Sequence, residues 1–340
     1  MYQSIPDIIY AFTCYDKKYH DNFINKTVTR QQPVIGVSLP DVTLPRWAED
    51  KKVMEKYAQS KGVSLKIENA EYDAAKQAAQ VDNLIKQGIN VLILVPLDLS
   101  SAPALVEKAH KAGIKVVDYD RLIQNSNVDI FVSFNGKRVG ELQGQYLIKA
   151  APKGNYIILS GDPGSSNAKL FKEGAMEYIQ PLVSTKDIKL VADKPVEKYD
   201  PRIAYEIVEN ALIANNNNID AVLAPNDAIA GASIDALKAK GLAGKVPVTG
   251  QDADLDAVRR IVQGTQLMTV FKDFREEAKT SIDLAIKLAK GEAIYVYDYV
   301  ANGKINVLSV LLTPIAVDKN NIKEVLIDSG FYRENQVYNM

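Results

Sequence analysis

From Val34 onward, short apolar runs return at regular intervals with helically spaced segments between them, and this recurrence limits the fold more than any other feature. The runs are VIGVSL (34–39), VSLKIE (63–68), VLILVP (91–96), KVVDYD (115–120) and DIFVSF (129–134); between them lie segments such as AEDKKVMEKYAQSKG, DAAKQAAQVDNLIKQG and APALVEKAHKAG. Runs like VLILV do not alternate polar with apolar, as expected of parallel strands covered by helices on both faces. Glycines 62, 88 and 113 stand where helix C-caps belong. The same order then returns with NYIILS (155–160), IKLVAD (188–193), DAVLAP (220–225), KVPVTG (245–250) and LMTVF (267–271). The expected fold class is therefore α/β, built as two similar doubly wound parallel-sheet domains. A chain of 340 residues is also longer than one hydrophobic core usually serves.

Charge and cysteine usage narrow the partners. Formal net charge is -1 and no long basic block occurs, which argues against nucleic acid or an anionic membrane surface and for a small or neutral ligand. The one cysteine, Cys14, excludes an intramolecular disulfide framework and a Cys-rich metal site. Residues 1–33 read as an N-terminal tether or anchor remnant. The apolar patch Ile8–Phe12 is too short to span a bilayer and lacks the basic start of an export signal. Cys14 stands where a lipid-anchored export protein carries its lipid, although AFTC matches the usual small-residue cleavage box poorly. An incidental thiol and an anchor are both open readings.

In open parallel sheets the ligand crevice lies outside the carboxyl ends of the strands, so the residues just after each run form the site list. These are Arg46-Trp47, in a Pro-bounded loop expected to precede the helix AEDKKVMEKY, then Asp120-Arg121, and Asn167 and Lys169 of GDPGSSNAK. Tyr199, Asn226-Asp227, Gln251-Asp252 and Lys272 complete it. Guanidinium forks, amides, carboxylates and two flat aromatics suit a sugar, whose paired hydroxyls donate and accept while its C–H face stacks on an indole. For Trp47 the competing structural reading is a hydrophobic staple at the helix start.

Other chemistries fit less well. DADLD (252–256) imitates half a calcium loop, but Ala257 replaces the required glycine and Gln263 the bidentate glutamate. SGDPGSSNAK matches neither phosphate-loop nor dinucleotide fingerprint. His20 falls in the tether and His110 near a helix end, where a solvated imidazole favouring the helix dipole is expected. No Ser-His-Asp or Cys-His set can be placed, so no enzyme, cofactor or metal is expected. Asp227 and Asp254 also read as helix N-caps.

The blocks LPRW, YDR, SFNGKRVGELQ, GNYIILSGDPGSSNAKLFKEG, VLAPNDA and VTGQDADLDAVRRIVQGTQLMTVFK, in that order over residues 34–335, resemble the bacterial D-xylose-binding proteins of the type I periplasmic binding protein class. The resemblance implies a non-enzymatic, extracytoplasmic receptor whose two lobes, joined by a three-crossing hinge, close on D-xylose or a related monosaccharide. Carried over by position, the ligand contacts fall on Arg46, Trp47, Arg121, Asn167, Tyr199, Asn226, Asp252 and Lys272. Two positions depart from the family pattern: Ser165 replaces an aspartate and Tyr199 a second tryptophan. The implied lobes are 34–134 with 274–303, and 135–273 with 304–335, the third crossing falling within about 305–312. The implied reader of the closed form is an ABC sugar permease, with a membrane histidine kinase or chemoreceptor as the alternative. A LacI-type regulator shares the body but needs an N-terminal DNA-binding headpiece, for which residues 1–33 are too short.

Overall fold

The computed structural model describes residues 32–42, 45–98, 100–163, 165–296 and 298–339. The expected tether and Cys14 therefore lie outside the described residues, apart from residues 32 and 33.

The first run of elements is β1 (Val34–Leu39), α1 (Pro45–Ser60), β2 (Ser64–Asn69), α2 (Ala74–Lys86), β3 (Val91–Leu94), α3 (Ala102–Lys111), β4 (Lys115–Tyr119) and β5 (Ile130–Phe134). These strands are mutually parallel and lie in the order β2-β1-β3-β4-β5. The continuous run VLIL is explained by its two burials. Val91 and Ile93 join the core under α1, with Ile35, Val37 and Met54. Leu92 and Leu94 turn to the opposite face and pack with Val81, Leu84, Leu105 and Val106 of α2 and α3. A strand whose side chains alternate between two covered faces has no polar face to show. Gly62, Gly88 and Gly113, just beyond the three helices, all have positive φ, as the C-cap expectation required.

The second run comprises α4 (Gly136–Ala150), β6 (Gly154–Leu159), α5 (Ser166–Ser184), β7 (Ile188–Lys194), α6 (Pro201–Ala214), β8 (Ala221–Leu223), α7 (Asp227–Lys238), α8 (Leu255–Gln263) and β9 (Thr269–Phe271). Strands β7-β6-β8 form a parallel sheet. Its two faces bury Ile157 and Leu159 toward α6 and α7, and Tyr156 and Ile158 toward α4 and α5. The expected strand at 245–250 is reduced to one parallel bridge, Val222 with Val248. Pro247 has no N–H for the ladder, and only its carbonyl takes part, accepting from Val222 N.

After β9 the chain returns to the first sheet. Helix α9 (Phe274–Lys290) buries Ala278, Ile282 and Ala285 in the core that holds β1 and β3. A hairpin of β10 (Asp298–Ala301) and β11 (Asn306–Leu312) follows, and β11 pairs parallel with β5 through Leu312. Residues 304–312 thus belong with the first sheet, contrary to the expectation that placed them in the other lobe. The change of sheet falls at Thr313–Pro314, because Pro314 interrupts the pairing and β12 (Ile315–Val317) then runs antiparallel to β9. A π-helical turn (Lys323–Ile327) and α10 (Glu334–Tyr338) close the described chain.

Candidate functional site

The carboxyl ends of both sheets open on one cleft of about 1350 Å³, and all eight residues that the resemblance carried over as contacts line it: Arg46, Trp47, Arg121, Asn167, Tyr199, Asn226, Asp252 and Lys272. Asp98, Asp120, Ser165, Phe171 and Phe274 line it as well.

Arg46 and Trp47 do not sit in a loop. Helix α1 begins at Pro45, whose fixed φ suits a first helical position, so both residues ride on its first turn. Trp47 is 4% exposed and shares the core with Met54 and Val37 while also lining the cleft. The guanidinium carbons of Arg46 and Arg121 stand 5.1 and 5.8 Å from its ring centroid, so the indole lies beside two cations. Trp47 is thus no staple, which would require a residue ahead of the helix; it is a helical indole that packs in the core and also lines the cleft.

Arg46 is held from behind. Its Nε donates to Asp50 Oδ2 at 2.8 Å and its Nη2 to Glu277 Oε2 at 2.7 Å, and both carboxylates are fully buried. Burial pushes Glu277 up to about 8 and Asp50 to about 6, against the pull of Arg46. Asp120 goes the other way: burial raises it, but Lys272, Arg46 and Arg121 together hold it below the usual range. Lys272 Nζ lies 3.6 Å from Asp252 Oδ1 and 6.0 Å from the Phe171 ring centroid. The cleft therefore alternates fixed cations and carboxylates, an arrangement that offers hydroxyl groups both donors and acceptors.

On the other wall, Asn226 N-caps α7, its Oδ1 accepting from Ile229 N at 3.0 Å, which leaves the amide nitrogen for the cleft. Asp227, expected as that cap, is instead buried one position further on. It accepts from Asp254 N, Thr269 Oγ1 and Gln266 Nε2, so it braces the loop that carries Asp252. Asp254 stands at the N-cap position of α8 without a side-chain cap bond. Ser165 caps α5 through Ala168 N and accepts from Tyr199 Oη at 3.2 Å, so the two departures from the family pattern are in contact. The Tyr199 ring lies on bare Gly161: a Cβ there would sit 2.6 Å from Cε1. Asp120, Tyr199 and Asp252 all have φ between +51° and +100°, a backbone cost that their neighbours must hold in place.

Not every named residue reached the cleft. Lys169 points to solvent and pairs at 3.9 Å with Glu173. His110 is not simply solvated: its Nε2 lies 2.7 Å from Asp129 Oδ2, tying α3 to the start of β5. Among the described residues no cluster fit to hold a metal occurs, and no helix is long and apolar enough to cross a membrane. Asp50 and Glu277 were missed, because carboxylates inside a polar helix sequence look like solvated surface until the helix is docked.

Two open parallel-sheet units facing one polar cleft define a ligand-binding body of the type I periplasmic class, and the chain belongs to that family: the periplasmic binding protein domain matches residues 35–293. Over 304 residues it is 43% identical to the D-xylose-binding periplasmic protein of Haemophilus influenzae, covering 89% of this chain and 92% of that one. The D-xylose-binding periplasmic protein of Escherichia coli is 42% identical over 303 residues, with 89% and 92% covered. Among solved structures, a carbohydrate transporter solute binding protein from Chloroflexus aurantiacus in complex with D-glucose superposes with a TM-score of 0.82. It is 32% identical, with 90% of this chain and 98% of that chain covered.

Proposed function

We propose that the chain is an extracytoplasmic sugar receptor that binds one monosaccharide between its two sheets, D-xylose before others, and presents the liganded form to an ABC sugar importer. The observation that carries this is the convergence of Arg46, Trp47 and Arg121 from one sheet with Asn167, Tyr199, Asn226, Asp252 and Lys272 from the other on one cleft. Those groups bind; none is arranged as a nucleophile with its base. Micromolar affinity needs about 8 kcal/mol, and hydrogen bonds to charged groups contribute roughly 1.5 to 3 kcal/mol each, so a few such contacts suffice. The names of the relatives favour D-xylose and favour import over a sensor kinase.

The moving bodies in this reading are residues 34–134 with 274–312, and 135–273 with 313–339, following strand pairing. A ligand that touches both sides favours the closed arrangement by contacts the open one lacks, and the closed surface is what a permease reads. The test is isothermal titration with D-xylose, D-ribose, L-arabinose, D-glucose and D-galactose, with Trp47 emission followed in parallel. D-xylose is expected to bind tightest and to shift the emission. D-glucose is the strict competitor, since it carries the same ring hydroxyls plus one hydroxymethyl group. Absence of heat with every sugar would refute the reading.

A further inference from the structure

Among the described residues, Arg46 is the one cleft cation whose guanidinium is bonded to two fully buried carboxylates, Asp50 from its own helix and Glu277 from α9. Glu277 does not line the cleft. It lies one turn into α9, where the chain has just returned from the second sheet, and on the same helical face as Phe274, whose ring centroid is 5.3 Å from the Arg46 guanidinium carbon. The first turn of α9 thus grips Arg46 by a ring and by a carboxylate. Asp50 takes Nε and Glu277 takes Nη2, and among the described residues Nη1 has no hydrogen-bond partner. The second oxygen of Glu277, Oε1, is buried and likewise without a partner among the described residues.

We infer that Glu277 is a positioning residue for the ligand-binding arginine: by holding Nη2 from behind, it aims the Nη1 edge of Arg46 at the sugar and couples that aim to the place where the chain changes sheet. The inference rests on the sugar-receptor reading above. A neutral Glu277 holds the guanidinium by a weaker bond than an ionised one. Sugar binding, which needs the aimed form, therefore favours the ionised carboxylate and expels the proton that burial otherwise keeps on it. The charged and titratable groups facing Glu277 are Arg46 and Asp50 of α1, Tyr119 of β4, Asp120 beyond it, and Lys272 after β9. Asp50 and Glu277 share one arginine and titrate as a coupled pair.

The experiment is calorimetric titration of the whole chain with D-xylose between about pH 6 and pH 9, in buffers of different ionisation enthalpy, which counts protons released per sugar bound. In the native protein, affinity is expected to climb until about pH 8, the value to which burial pushes Glu277, and then level off, with proton release greatest below that value, between the free and the sugar-bound titrations. Glu277→Gln is expected to abolish that release and to weaken binding roughly tenfold at the alkaline end, with the gap closing toward the acid end. Glu277→Asp, which draws the carboxylate back by one methylene, is expected to weaken binding throughout. A purely structural role would lower the melting temperature and leave the proton count unchanged. No proton release by the native protein, or the same release from Glu277→Gln, overturns the inference. If the glutamine variant does not fold, Glu277→Asp takes its place: it must shift the pH at which protons are released, and an unshifted profile overturns the inference. A native protein that binds no sugar refutes the functional reading instead.

Discussion

At the scale of single residues, the cleft is a set of side chains whose directions are fixed before a ligand arrives. Trp47 is nearly buried between core and cleft, and Arg121 stands over its ring. Trp47→Ala or Arg121→Ala should weaken sugar binding by at least about 1.5 kcal/mol by calorimetry. The arginine variant is expected to keep its melting temperature, since among the described residues the Arg121 guanidinium meets Asp120 at a loose 3.8 Å and the indole face at 5.8 Å. Ser165 and Tyr199 form the second test. Ser165→Asp keeps a good N-cap for α5 and adds a carboxylate acceptor at the cleft wall, so it should tighten sugar binding by about 1 kcal/mol. Equal affinity would mean that the Tyr199 hydroxyl already supplies the acceptor that the added carboxylate would bring.

Helices and strands decide which of these residues can meet. The strand-end rule named every one of the eight contacts that the resemblance carried over, together with Lys169 and Asp227, which do not line the cleft; in βαβ order the side chains just after an apolar stretch gather at one edge of the sheet. What escaped notice was held by packing between distant segments. Arg46 and Glu277 are 231 positions apart, and nothing in FREEAK marks its second glutamate as the one that turns inward. Once α9 docks, Ala278 and Ile282 face the core and the register puts Glu277 beside them. Asp227 was misread because Asn226 reached the cap first, through a backbone geometry that Asn-Asp cannot announce. That double duty gives a prediction for α7. Asn226→Asp retains the oxygen that caps Ile229 and should hold stability while losing the amide donor and with it sugar affinity. Asn226→Ala should lose both, the stability loss being about 1 kcal/mol in chemical denaturation.

For the whole molecule, the site places a load on stability. Glu277 keeps its proton in the folded state to about pH 8, against an ordinary value of 4.5. An acid with a raised folded pKa contributes stability below its unfolded value, and that contribution is lost as pH rises through the folded value. Denaturation midpoints should therefore fall between pH 5 and about pH 8.5 in the native protein, and Glu277→Gln should flatten the fall; an equally steep fall in the variant would place its origin elsewhere. Alkaline conditions that sharpen ligand capture would thus loosen the fold.

The pairing of β11 with β5 has a consequence for biosynthesis. The half that begins at Val34 leaves one flank of β5 uncovered until Leu312 has been made, whereas the segment from Gly136 to Phe271 already holds β6, β7 and β8. Yet β9 also waits, for β12 until Val317, so the nascent chain carries an open β-edge in each half until its last segment is made, and premature contact between such edges is the hazard of its synthesis.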